Sequence, residues 1–126
     1  MKRYLSTVAL LCCLVSSCTF NTDPDAIVSS LRFEPSAFDS FTENTQIRYT
    51  LTIPARVNVY VATRDSLGRL VLVRTIVRDL SETKGSHNHT WLGDTEKGIF
   101  APAGLYTGIL QVQDANFETS VRIFHF

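Results

Sequence analysis

Beyond residue 26, apolar and polar side chains alternate along most of the chain. Ile27, Ser29, Leu31 and Phe33 fall on one side of an extended segment, with Arg32 and Glu34 opposite, and Pro35 closes it. Ile47, Tyr49, Leu51 and Ile53 do the same against Gln46, Arg48, Thr50 and Thr52. Val57, Val59 and Val61 alternate with Asn58, Tyr60 and Ala62. A period of two is the pattern of a strand buried on one face. Leu70 to Val77 is apolar on both faces, which predicts a central or bulged strand. His87 to Trp91 predicts a fifth short strand, and Leu92 to Ala103 a loop with two glycines and a proline. Leu105 to Val112 and Phe117 to Phe126 complete the set, joined through Asp114-Ala115-Asn116. Asp65-Ser66-Leu67-Gly68 predicts a hairpin turn, because aspartate hydrogen-bonds its own backbone and glycine tolerates positive φ. An apolar repeat of 3.6 residues is not sustained anywhere after the first segment. The expectation is an all-β fold, a seven-stranded antiparallel sandwich of immunoglobulin or fibronectin type.

The first 25 residues follow another rule. Lys2 and Arg3 precede an apolar run from Leu5 to Val15. That run has the length of a secretory signal core, about 7–15 residues, and falls short of the ~20 needed to span a bilayer. Small residues then lead to a cysteine in Leu14-Val15-Ser16-Ser17-Cys18, which resembles the lipobox of bacterial lipoproteins. The resemblance implies a thiol that takes a diacylglycerol, cleavage before Cys18, and a protein held on an envelope membrane. Cys12 and Cys13 lack small residues before them and fit the pattern worse. The expected organisation is a signal peptide over residues 1–17, a lipidated cysteine and tether over 18–25, and one β-domain over 26–126. Acyl chains contribute about 0.8 kcal/mol per buried CH₂, so two or three give a stable anchor. Thr19 stands where an aspartate would resemble an inner-membrane retention signal, which favours the outer membrane.

Removing residues 1–17 changes the charge and the cysteine inventory. Twelve basic residues become ten against twelve acidic ones, a balance without the strongly basic patch that nucleic-acid binding requires. The chain has three cysteines, and with two lost and one acylated the β-domain keeps no thiol for a disulfide, a nucleophile or a metal. A domain of this size and composition has to be held by its core.

Three stretches together carry a second resemblance. Ile47-Arg48-Tyr49-Thr50-Leu51 is followed by Pro54 and Val57-Asn58-Val59; Asp65-Ser66-Leu67-Gly68-Arg69-Leu70-Val71 comes next; the third comprises Gly85-Ser86-His87, Trp91-Leu92-Gly93-Asp94 and Pro102-Ala103-Gly104-Leu105-Tyr106. In this order they resemble the immunoglobulin-like domain named after the flagellar hook-cap protein FlgD, and the related sorting modules of secreted proteins. The resemblance covers about residues 27–126 and implies an accessory, non-catalytic sandwich module. Ser36-Ala37-Phe38-Asp39-Ser40-Phe41 replaces the Asn-Gly-Asp-Gly loop of many members, and Leu92 replaces an aspartate. Within that fold, Trp91 is expected between the sheets and Tyr106 at a strand start with its hydroxyl tied to backbone.

Candidate chemistry is sparse. His87 and His89 share one strand face, so two imidazoles point the same way and form the one metal-like feature. A zinc site needs three or four ligands, for which His125, Asp94 and Glu96 are the remaining candidates. The chain has no Gly-x-Ser-x-Gly elbow and no phosphate-binding glycine loop, so the expectation is no enzyme and no cofactor. On the last strand Phe117, Val121 and Ile123 face inward, which turns Arg122, Phe124 and Phe126 outward, and Tyr60 is outward on its own strand. Tyr60, Arg122, Phe124 and Phe126 are the expected docking residues for a protein partner. The function expected is therefore that of an envelope lipoprotein, an accessory or scaffold subunit of a protein complex; the alternative is a metal- or glycan-binding surface module.

Overall fold

The computed structural model describes residues 26–125; the expected signal peptide over residues 1–17, the expected lipidated Cys18 and tether over 18–25, and Phe126 lie outside them. The described chain is all-β. Its strands are β1 (Val28–Glu34), β2 (Ala37–Asp39), β3 (Thr45–Leu51), β4 (Ala55–Arg64), β5 (Leu70–Glu82), β6 (Gly85–Trp91), β7 (Gly104–Val112) and β8 (Ala115–Phe124). They form two sheets, ordered β1-β3-β6 and β2-β8-β7-β4-β5.

The inward half of each alternating run builds one core between the sheets. Phe33, Ile47, Tyr49, Leu51 and Trp91 come from the smaller sheet. Phe38, Val57, Val59, Val61, Leu110, Val112, Val121 and Ile123 meet them from the larger one. Trp91 sits at the centre of an aromatic group, with ring centroids 5.8 Å from Phe38, 5.4 Å from Tyr106 and 6.4 Å from Phe33. Its indole nitrogen donates to the Asp94 carbonyl at 2.9 Å, so the one polar atom of this buried side chain is satisfied. Gly108 lets the sheets approach here: a Cβ at that position would stand 2.7 Å from Phe33 Cζ and 3.0 Å from Ile47 Cδ1.

Three expectations change. The fold has eight strands among the described residues and is not wholly antiparallel, because after Pro35 the chain crosses to the larger sheet and β2 pairs with β8 in parallel. Ala37–Asp39 is too short to show a period, and only Phe38 of its side chains is fully buried apolar. Second, β5 is bulged but lies at an edge rather than in the centre. One bulge places Arg78 and Asp79 opposite Asn58, with Asp79 at φ 52° and its N–H donating to Asn58 Oδ1 at 2.8 Å. Third, the β7–β8 turn is Gln113-Asp114 rather than Asp114-Ala115-Asn116. Val112 already pairs with Ala115, and Gln113 adopts the positive φ that a glycine or asparagine would have signalled.

The Asp65–Gly68 turn forms as its residues predict. Asp65 Oδ1 accepts from the backbone N–H of Leu67 and of Arg69, both at 2.9 Å, and Gly68 takes φ 80°. These hydrogen bonds hold the Asp65 carboxyl below its usual range.

Candidate functional site

His87 and His89 do face the same way, and what they face is Glu82. This residue ends β5 in the larger sheet and reaches β3 and β6 of the smaller one. Its side chain is only 7% exposed. A carboxylate that deep requires donors. The Tyr49 hydroxyl donates to Glu82 Oε1, and His89 Nε2 donates to Oε2 at 3.1 Å. His89 Nε2 also lies 3.0 Å from the Tyr49 hydroxyl. His87 turns its Nε2–H to the Thr83 carbonyl at 2.7 Å, and its Nδ1 stands 3.6 Å from Glu82 Oε2. Burial, then the hydrogen bond and charge of Glu82, push the Tyr49 hydroxyl far above its ordinary pKa, so it remains a proton donor. The four side chains clasp the open seam between the two sheets.

The other residues considered as metal ligands are elsewhere. His125 bonds Ser40 at 3.0 Å and stacks on Phe41 with ring centroids 4.0 Å apart. Glu96 Oε1 accepts the Thr75 N–H at 2.8 Å, and Asp94 Oδ2 is 3.8 Å from Arg74 Nη1. Among the described residues, no three His, Cys, Asp or Glu side chains are grouped to hold a metal ion.

Tyr60 and Arg122 lie on the outer face of the larger sheet, flanking β7. Tyr60 pairs with Ile109 and Arg122 with Leu105, so they are separated by four residues of β7, about 13 Å along the strand. Tyr60 is half-buried and Arg122 exposed. Phe124 pairs with Asp39 of β2 and is partly covered; Phe126 lies outside the described residues. Tyr60 and Arg122 therefore do not sit side by side on that face.

Two apolar surfaces went unread in the sequence. The first is β5, where Leu70, Val71, Leu72 and Leu80 are between 41% and 53% exposed at a sheet edge. Among the described residues, the middle of that edge is capped by the Glu96 N–H on the Val73 carbonyl at 2.9 Å and by Glu96 Oε1 on the Thr75 N–H at 2.8 Å. The signal was present, as an apolar run on both faces, but it also describes a fully buried strand. The second is a knob at one end of the molecule, where Phe41 meets Phe100 edge-on at 4.8 Å, with both rings about half exposed. No family model matches the chain, and no curated protein matches it.

Proposed function

We propose that this chain is a non-catalytic lipoprotein of the bacterial envelope, an accessory or scaffold subunit that works through protein contacts at the free edge of its larger sheet. The observation that carries this reading is β5. A long edge strand with exposed leucine and valine is a template for an added strand, and soluble domains normally blunt such an edge with charge or a covering loop. Among the described residues the blunting is partial: Glu96 caps the middle of the edge and the Arg78–Asp79 bulge interrupts its second half. Tyr60, next to Thr75 across the β4–β5 ladder, extends the same surface inward.

The domain reads best as an immunoglobulin-like sandwich of the FlgD type. Two features support this. The sheets divide as β1-β3-β6 against β8-β7-β4-β5, with β2 added beside β8. Tyr106, near the start of β7, donates its hydroxyl to the Pro102 carbonyl four residues upstream, the tyrosine-corner arrangement of such sandwiches. Cys18 is the proposed lipid attachment point, with outer-membrane placement from Thr19. The tether over residues 19–25 reaches about 25 Å when extended, so the sandwich works close to the bilayer.

The test is purification from detergent-solubilised membranes of the chain and of its Leu72→Lys variant. A partner that comes down stoichiometrically with the first and not with the second, at equal folded content, supports docking at β5. Equal recovery with both variants rejects it.

A further inference from the structure

The outer face of the smaller sheet carries a different chemistry. Its register places polar residues in straight cross-strand rows. Ser30, Thr50 and Ser86 form one row; Arg32, Arg48 and Asn88 the next; Glu34, Gln46 and Thr90 the third. Residues directly opposite have Cβ atoms about 4.5–5.5 Å apart, and like charges so placed repel. Arg32 and Arg48 are such a pair.

One carboxylate serves both. Glu34 Oε1 accepts from Arg32 Nε at 3.2 Å and lies 3.1 Å from its Nη2. The same oxygen is 3.6 Å from Arg48 Nε, beyond hydrogen-bond reach. Arg48 Nη2 goes to Gln46 Oε1 at 3.0 Å, which leaves Arg48 Nε a buried donor with no partner. A buried donor left unpaired is costly, more so when it belongs to a charged group. Beside it, Ser30, Arg32, Arg48, Thr50, Ser86 and Asn88, together with Tyr49 and His87, line a cavity of about 90 Å³. Ser30 donates to Thr50 at 3.1 Å, and Thr50 and Ser86 hydroxyls are 3.2 Å apart, so the hydroxyl row is already aligned.

We propose that this cavity is an oxyanion subsite, in which Arg32 and Arg48 bind a carboxylate or phosphate group and the Ser30–Thr50–Ser86 row and Asn88 bind its hydroxyl-bearing remainder. Two guanidiniums against one glutamate leave a net positive charge on this face, and Arg48 Nε has no hydrogen bond of its own to hold its guanidinium in place. Guanidinium forks suit planar carboxylates and phosphates better than a point charge does. The cavity has room for one such group. Tyr49 and His87 add two rings to a lining that is otherwise hydroxyl, amide and guanidinium, so the recognition is mainly polar. Glu34 is the internal competitor that the ligand displaces from Arg48.

The experiment is a titration of the full chain in nonionic detergent, at fixed ionic strength, with inorganic phosphate and separately with glucuronic acid. Backbone amide shifts of β1, β3 and β6 report the site. Saturable shifts on this face with either probe are expected; tighter binding of glucuronic acid identifies an acidic sugar as the source, and tighter phosphate a phosphoryl group. Arg48→Gln lowers the affinity about tenfold or more, since it removes a charge-assisted donor. Arg48→Lys restores only part of it, and Glu34→Gln strengthens binding. Arg32→Gln gives a second variant with the same expected loss if the Arg48 change unfolds the sheet. No saturation with either probe up to about 50 mM, or affinities of Arg48→Gln and Arg32→Gln within about twofold of the parent, overturns the subsite. Because it lies on the other sheet from β5, its failure leaves the docking surface standing, and the reverse.

Discussion

If Glu82 clasps the two sheets, removing one of its donors must cost stability in a way that depends on Glu82 itself. Tyr49 is 1% exposed and donates to a carboxylate that is 7% exposed. A hydrogen bond to a buried charged group contributes about 1.5–3 kcal/mol. Tyr49→Phe keeps the ring in the core and deletes that bond together with the hydroxyl's 3.0 Å contact to His89 Nε2, so the expected cost is about 2 kcal/mol. For a domain of this size that lowers the melting temperature by about 8–16 °C. Glu82→Gln weakens the Tyr49 and His89 bonds together and turns an amide N–H₂ toward one of the donors, costing about 2–4 kcal/mol. The double variant counts the shared bond once, so its cost falls short of the sum by about 1–2 kcal/mol. Urea unfolding followed by circular dichroism supplies all four corners of the cycle. Additivity within about 0.5 kcal/mol, or a neutral Tyr49→Phe, refutes the clasp.

Other consequences follow from the same structure. The Tyr49 hydroxyl titrates far above its unfolded value, so its contribution to stability is complete below about pH 10 and is lost as pH rises beyond that. In that alkaline window the parent should lose stability more steeply than Tyr49→Phe; parallel curves speak against it. Burial likewise raises Tyr106, so absorbance at alkaline pH should show both tyrosines ionising late in the folded chain, and an early, complete titration contradicts this. Gly108→Ala pushes a methyl into the Phe33 ring and should cost about 1–3 kcal/mol by overpacking, readable as a lower urea midpoint at unchanged slope. Trp91→Ala empties the centre of the core and should cost about 3–5 kcal/mol, close to the whole stability of a domain this small. Leu72→Lys, at an exposed site, should stay within about 0.5 kcal/mol of the parent, which makes it usable as a docking variant.

Much of the fold was legible because β3, β7, β8 and most of β4 present an inside–outside alternation. Ile47, Tyr49 and Leu51, or Val57, Val59 and Val61, are buried as their spacing predicts. The tyrosine of Pro102-Ala103-Gly104-Leu105-Tyr106 also ties its hydroxyl to backbone as expected. What escaped depends on tertiary pairing. β2 spans three residues and owes its existence to the neighbouring β8. β5 is apolar on both faces, a pattern that a central strand and a docking edge share, and only the sheet order separates them. Glu82 looks like a surface charge in the sequence; its donor Tyr49 is 33 residues away. The two histidines were correctly placed on one face, yet their common partner was not among the residues weighed. Arg32 and Arg48 each look like ordinary outward arginines until the β1–β3 register sets them opposite one another.

On the proposed function, the chain engages a protein along β5 while anchored at the membrane. A photoreactive residue at position 72, installed in the full chain and activated in intact cells, tests it most directly, with position 90 on the other sheet as the control. One discrete cross-linked species, of defined added mass and in the membrane fraction, is expected from position 72 and not from position 90. Equal, diffuse labelling from both positions, or a cross-linked chain recovered free of the membrane, would contradict it.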